Sequence, residues 1–513
     1  MKTHAGHTIS LWMATATVPQ FPRLAENAQA DVCVVGAGIA GLTTAYFLTR
    51  AGRTVVVLDD GPILSGETER TTAHLANALD DRFIELERLH GRTGARLAAE
   101  SHGVAIDTIE RLVKELRIDC DFARVDGYLF TGAQAQPDLL ERELAAAQRA
   151  GLTAATFVER APWASFNTGR ALRFPRQAQV HPLKYLAALA SAIVCAGGRI
   201  HAGTHVVEVH GGRSAQVGTA DGRTVNCGAV VVATNTPVND RLVIHTKQAA
   251  YRTYVIGAAI PAGAVPAALY WDTEDPYHYV RLQAAGGAAG GEVLIVGGED
   301  HKTGQADDAE ARYGRLEAWM RERFPEAGEI QFRWSGQVME PVDGLAFIGR
   351  NPLDAENVYV ATGDSGHGMA HGTIAGLLLT DLIVGRENPW AELYDPSRVS
   401  PGAAKDYAVE NANAAAQYVD WLTAGEGEKA KLVPPGTGAV LRHGLTKVAV
   451  CRDADGTFHE CSAVCPHLGG IVHWNPTERT WDCPAHGSRF DCRGEVLNGP
   501  ANRGLAPTQV SVA

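Results

Sequence analysis

The 513-residue sequence lacks any apolar run of the roughly 20 residues that a membrane-crossing helix needs. Its most apolar stretch, Tyr254 to Trp271, is broken by Pro261 and Pro266. Met1 to Gln20 carries one lysine, no apolar core followed by a cleavage site and no twin-arginine pair. The expectation is therefore a cytoplasmic chain with no membrane span. Cationic excess is also missing. A net charge of −12 argues against sequence-independent nucleic-acid binding, which needs a basic surface. Internal repeats and low-complexity tails are absent. So is any D/E-x2-H-x4-5-H run that could supply the mononuclear iron triad of an oxygenase. No cysteine lies between residues 228 and 450.

What is present is 45% apolar residues, enough for large cores, and 55 glycines, above ordinary usage. The length predicts about three domains. Residues 1–30 read as an irregular N-terminal arm. Residues 31–245 and 337–400 carry α/β patterning with helical insertions around 80–118 and 137–150. Residues 246–336 hold short strand-like runs with turn signals, hence an antiparallel region. An Ala-rich helical linker spans 401–428, and 429–513 is a small all-β segment with Gly/Pro turns. Of the nine cysteines, Cys33, Cys120, Cys195 and Cys227 are scattered, whereas Cys451, Cys461, Cys465, Cys483 and Cys492 crowd together. Such a cluster beside histidines reads as a metal site rather than a disulfide framework.

The run Asp31 to Val35 is a buried parallel strand by its β-branched composition, and Gly36-Ala-Gly38-Ile-Ala-Gly41 follows it directly. Gly36 permits a tight turn, Gly38 admits a diphosphate to the backbone, and Gly41 lets strand and helix pack closely. The diphosphate rests on the helix N-terminus, and Asp59, closing the next strand, accepts from a ribose hydroxyl while repelling a 2′-phosphate. One such fingerprint serves one nucleotide, NAD or FAD. The later glycine-rich turn Ala361-Thr-Gly363-Asp364-Ser-Gly366-His367-Gly368-Met369 favours FAD, whose ring needs backbone donors of its own.

These segments, with Gly66 to His74, His181-Pro-Leu, Val230 to Thr234 and Asp343 to Gly349, resemble the D-amino-acid oxidase, glycine oxidase and sarcosine oxidase family over residues 31–390. The resemblance implies an α/β FAD-binding (Rossmann-like) domain with an antiparallel-sheet substrate domain. It also implies oxidation of the C–N bond of an amine or amino acid. The FAD contacts it implies are Gly36, Gly38, Gly41, Asp59, Arg70, Thr71, Thr72, Ala233, Thr234, Gly349, Gly363, Asp364, Gly366, His367, Gly368 and Met369. With no cysteine in the late half of this region, and Arg70 where a histidyl link would fall, FAD is expected to be non-covalent.

Cys465-Pro-His467 and Cys483-Pro-Ala-His486 form C-x-H…C-x2-H, one thiolate and one imidazole from each loop. Zinc sites can be Cys2His2, but usually pair like with like. The mixed arrangement suits a Rieske [2Fe–2S] centre, with two cysteines on one iron and two histidines on the other. Phe490 to Gly494 and Gly499-Pro-Ala501 extend the resemblance to the Rieske family over 430–513. Gly470 and Ala485 stand where respiratory members carry a second, disulfide-forming cysteine pair. Cys461 and Cys492 read as small packed residues. Ser488 remains as a hydroxyl donor to the cluster, and Phe490 replaces a tyrosine.

Substrate residues are the faintest signal. Tyr277, Tyr279 and Arg281 share a strand face by period two. Arg252 and Arg281 could pair a carboxylate. Tyr254 and His301 complete the candidate catalytic set, His301 as orienter or base of an amine. The whole reads as an FAD-dependent oxidoreductase that passes electrons through the cluster to an external acceptor, which could be a protein. The alternatives are a reductase feeding a partner oxygenase, and an oxygen-using oxidase whose Rieske module is structural or redox-sensing.

Overall fold

The computed structural model describes residues 5–132, 136, 138–239, 243–285, 291–427 and 429–508. All four residues of the strand Val32–Val35 are buried, because both faces of its sheet are covered. It lies inside a six-stranded sheet ordered Phe347–Arg350, Val358–Thr362, Ala229–Val232, Val32–Val35, Val55–Leu58, Arg199–His201. Every pairing in it is parallel except the Phe347–Arg350 edge. The helices Ile39–Arg50 and Gly368–Val384 cross at close range. A Cβ on Gly372 would lie 2.5 Å from Ile39 Cγ2, and one on Gly376 would lie 2.6 Å from Thr43 Cγ2. Both helix N-termini thus open onto the C-terminal ends of the parallel strands, where such sheets bind ligands.

A second, nine-stranded sheet is built around Gln248–Pro261, flanked by Ile330–Pro341 and Gly291–Lys302. It reaches beyond the segment 246–336. Ala123–Phe130 pairs in parallel with Ala268–Asp272 and antiparallel with Ala171–Gln179. Ala123–Phe130 and Ala171–Gln179 come from the stretch that sequence patterning assigns to the FAD-binding part, since local periodicity carries no information about pairing across more than a hundred residues. One face of this sheet packs on the helix Ala309–Arg323 through Tyr254, Tyr313, Trp163, Trp319 and Phe324. The other face looks toward the parallel sheet. The insertion Arg82–Glu115 is two helical pieces joined at Gly91, whose φ of 68° no other residue adopts readily.

After the helix Ala404–Ala416 and the tight turns Gln417–Leu422, the chain forms two small antiparallel sheets. One has three strands, Thr437–His443, Thr446–Arg452 and Phe458–Ser462. The other has four, His473–Asn475, Thr480–Asp482, Arg489–Phe490 and Val496–Asn498. Cys492 does not sit as a free packed residue: it is disulfide-bonded to Cys451 on the facing strand. Cys461 is free and buried.

This β unit is held against the rest by a buried ionic knot. Arg70, Arg252 and Arg489 surround Glu478, Asp482 and Glu67. Arg70 Nη1 lies 3.1 Å from Glu478, Arg489 Nε 3.1 Å from Asp482, and Arg252 Nη1 4.0 Å from Glu478. Burial alone would raise the Glu478 carboxyl; the three guanidinium groups outweigh it and hold it well below the usual carboxylate range. The N-terminal arm is wedged into the same seam. Thr8 Oγ1 donates to Glu478, and Arg489 donates to the Ala5 carbonyl at 2.6 Å. Among the described residues no helix is long and apolar enough to cross a membrane.

Candidate active site and cluster site

A groove of about 1370 Å³ of empty space, its open mouth included, runs along the C-terminal edge of the parallel sheet. Gly36, Gly38, Asp59, Thr71, Ala233, Thr234, Gly363, Asp364 and Gly368 line it. Gly38 caps the helix Ile39–Arg50 without a side chain, leaving the first N–H groups for an anion. The glycines are required sterically. A Cβ on Gly36 (φ +102°) would lie 2.3 Å from the Ala233 carbonyl oxygen. One on Gly41 would lie 1.9 Å from that of Gly36. Asp59 is oriented by the N–H groups of Ala37 (2.7 Å) and Gly61 (2.9 Å), which aim its carboxylate along the groove. This cradle fits the diphosphate and ribose of FAD.

Gly41 packs under the glycine turn rather than lining the groove, and three further expected FAD contacts lie elsewhere. The Arg70 guanidinium turns to Thr8, the Ser335 carbonyl and Glu478, and so belongs to the ionic knot. Gly349 is on an edge strand against Pro396, and Met369 is packed in the main core. The other late-loop residues divide. Gly363 and Gly368 face the groove, Gly366 and His367 face an adjoining cavity, and Asp364 borders both.

That second cavity, about 830 Å³ with its opening, lies between the groove and the large sheet and shares Glu67, Thr71 and Asp364 with the groove. Arg70, Thr72, His74, Asp80, Thr253, Trp271, Tyr277, Tyr279 and Gln337 also line it. Tyr277 and Tyr279 face it as period two predicts. Arg281 does not reach it. Its Nη1 donates to the carbonyls of Thr72, Ala73 and Val180 and its Nη2 to Gln283, so it ties the wall together from behind. Arg252, Tyr254 and His301 point to the far side of the sheet. The Tyr254 hydroxyl is 2.9 Å from His301 Nε2, on the face that packs against Tyr313, and burial pulls the His301 imidazole down to about 4. A register shift between Arg252 and Tyr254 marks this stretch, and Thr253 is the residue turned to the cavity.

Apart from Asp364, which it gives as an FAD contact, sequence reasoning missed the acids. Asp80 lines the cavity and is raised by the cavity's depth, although its side chain stays 37% accessible through the mouth. Burial pushes Asp81 and Asp300 to about 7 and Asp364 to about 6. Burial, then Asp81, raises Glu340 well above the carboxylate range. Only Asp-Asp at 80–81 and the polar strand end at 300 hinted at them.

At the β unit, Cys465, His467, Cys483 and His486 come together from two loops. The Cys465 and Cys483 thiols hydrogen-bond to each other. Backbone N–H groups of His467 and Leu468 reach one, those of Ala485 and His486 reach the other, and Ser488 also bonds to Cys465. The two imidazole rings stand 5.1 Å apart at 88°. Gly470 is close enough that a Cβ would lie 3.1 Å from Cys483 Sγ. Two buried thiols ringed by N–H donors beside two imidazoles are the donor set of a [2Fe–2S] cluster.

The histidine side of this centre faces inward. His245, from the FAD-binding part, lies 4.8 Å from the His467 ring and 6.4 Å from that of His486. Gln337, on the cavity wall, donates to the Gly487 carbonyl at 3.0 Å. Val496 to Gly499, with Ala501 and Asn502, form part of the groove wall.

Residues 31–382 match the model of the FAD dependent oxidoreductase family, and 426–509 that of the Rieske [2Fe-2S] domain. The chain is 32% identical to the Rieske 2Fe-2S iron-sulfur protein YhfW of Bacillus subtilis (strain 168), over 96% of both chains. It is 29% identical to gamma-glutamylputrescine oxidoreductase of Escherichia coli (strain K12), over 74% of this chain and 89% of the relative. Glycine oxidase from Geobacillus kaustophilus shares its fold, with a TM-score of 0.59 at 18% identity, over 73% of this chain and all of that one. With the glycine cradle, the cavity beside it and the four mixed ligands in place, the chain belongs to the FAD dependent oxidoreductase family and carries a Rieske [2Fe-2S] domain.

Proposed function

We propose that the protein oxidises the C–N bond of an amine or amino acid and sends the electrons through its Rieske cluster to an external one-electron acceptor. When bound, FAD supplies the two-electron acceptor for the substrate hydride. The nitrogen loses a proton and the substrate leaves as an imine; Cys465, His467, Cys483 and His486 would hold the cluster, which would supply one-electron transfer to the acceptor. Gly36, Gly38, Asp59 and Gly363 hold the cofactor, and the cavity under Tyr277, Tyr279 and Thr253 holds the substrate. The observation that carries this reading is the contact from Gln337 on the cavity wall to the carbonyl of Gly487, the neighbour of the ligand His486. FAD is held without a covalent bond, so acid precipitation should release it to the supernatant.

The test is His486→Ala, which removes a cluster ligand outside the groove. Substrate should bleach the flavin of the variant at close to the wild-type rate under anaerobic conditions, while turnover with a one-electron protein acceptor collapses. Undiminished turnover with that acceptor would take the cluster off the electron path and leave the Rieske domain a structural or sensing module.

A further inference from the structure

The cavity wall and the layer behind it hold more carboxyl groups than nearby cations pair. Asp80 and Asp364 line it. Asp81 and Glu340 share Ser365, whose hydroxyl lies 3.3 Å from Asp81 and donates to Glu340 at 2.7 Å. Asp300 accepts from Thr253, and its Oδ1 is buried with no hydrogen-bond partner. Among the described residues no lysine or arginine lies within salt-bridge distance of these five groups. Among the described residues the one basic side chain at that range is His367, 3.6 Å from Asp80, and burial keeps its ring neutral, down to about 4.

The nearby guanidinium groups are committed elsewhere. Arg70 pairs with Glu478, Arg281 is spent on backbone carbonyls and Gln283, and Arg312 pairs with Asp308. Arg82 does not line the cavity and forms no ion pair with Asp80 or Asp81; its charge lowers both carboxyls through space, less than burial raises them. The rest of the wall is aromatic. The rings of Tyr277 and Tyr279 are 5.6 Å apart, tilted at 41°, and Trp271 joins them. A carboxylate brought here would meet carboxyl groups, and the one arginine of the lining, Arg70, is already paired with Glu478. An ammonium would meet carboxylates that its own charge draws into the ionised form, and π faces that attract it.

We infer that this cavity takes a cationic amine whose reacting carbon bears no carboxylate, rather than an amino acid. The inference rests on the C–N oxidation proposed above and narrows its substrate.

The test titrates the FAD-loaded protein anaerobically with 1,4-diaminobutane and N-methylbutylamine, and in parallel with glycine, sarcosine and L-proline. Two signals are read: the shift of flavin absorption on binding, and its bleaching. The amines should bind at least about tenfold more tightly than the amino acids. Asp80→Asn should weaken amine binding about tenfold or more, the loss of one charge-assisted contact, with Asp80→Glu restoring part of it. Should Asp80→Asn fail to retain FAD, the wild-type protein decides by competition: unreactive tetramethylammonium should displace the amine and benzoate should not. Tighter binding of benzoate or of the amino acids, or no amine binding at all, overturns the inference. Amines that bind without bleaching would uphold it and refute C–N oxidation. Bleaching by amino acids alone would do the reverse.

Discussion

At the scale of single residues, Ser488 shows how few groups tune the cluster site. It is buried, bonds to Cys465, and accepts the Ala501 N–H at 3.0 Å, which fixes its orientation. Ser488→Ala removes a donor that favours the more negative, reduced cluster. One neutral hydrogen bond is worth about 0.5–1.5 kcal/mol, so the potential should fall by roughly 20–65 mV, as read by protein-film voltammetry. A potential that stays or rises would mean that the hydroxyl does not reach the cluster sulfur. The four ligands and Ser488 are legible from the chain because C-x-H and C-x2-H place unlike donors in two short loops. The cavity residues are not. Which face of Gln248–Pro261 looks at the flavin side depends on a register shift beside Arg252, and one residue of slip exchanges Arg252 and Tyr254 for Thr253.

At the scale of elements, the turn between His473–Asn475 and Thr480–Asp482 carries Glu478 into the ionic knot. Removing one charge from a buried pair costs about 3–5 kcal/mol. Glu478→Gln should therefore loosen the β unit from the FAD-binding part. The check is faster proteolytic cleavage of the helical connector Ala404–Ala416 and a calorimetric transition that splits in two. The pH dependence follows from the same carboxyl. Its folded pKa lies below its unfolded value of about 4.3, so its contribution is complete above that value and is lost as pH falls through the folded pKa. Wild type should lose domain cohesion on acidification below about pH 4, whereas Glu478→Gln should lack that step. Elements with strong local pattern were readable: the strand Val32–Val35, its glycine turn and the helix after it. The knot was not, because Arg70, Arg252 and Glu478 are far apart in sequence, and the two arginines read instead as an FAD contact and a partner for a substrate carboxylate.

At the scale of the whole molecule, the β unit adds the Cys451–Cys492 disulfide, where the sequence reading has Cys492 as a small packed residue and the cysteine cluster as a metal site rather than a disulfide framework. Alkylation under denaturing conditions without reductant should label the seven other cysteines and spare this pair; labelling of all nine would show the pair open. The connector binds the cluster loop as well. Tyr418 donates to the Leu468 carbonyl at 2.7 Å, Trp421 to that of Gly469 at 2.9 Å, and His473 meets Asp420 at 2.9 Å. With the knot on one side, the N-terminal arm in the seam and the connector clamped over the ligand loop, this iron–sulfur domain is not a bob on a string. A carrier that swings between donor and acceptor slows in proportion to the drag of its solvent. One that is bolted in place does not, and flavin-to-cluster transfer in stopped flow should hold its rate as glycerol thickens the medium.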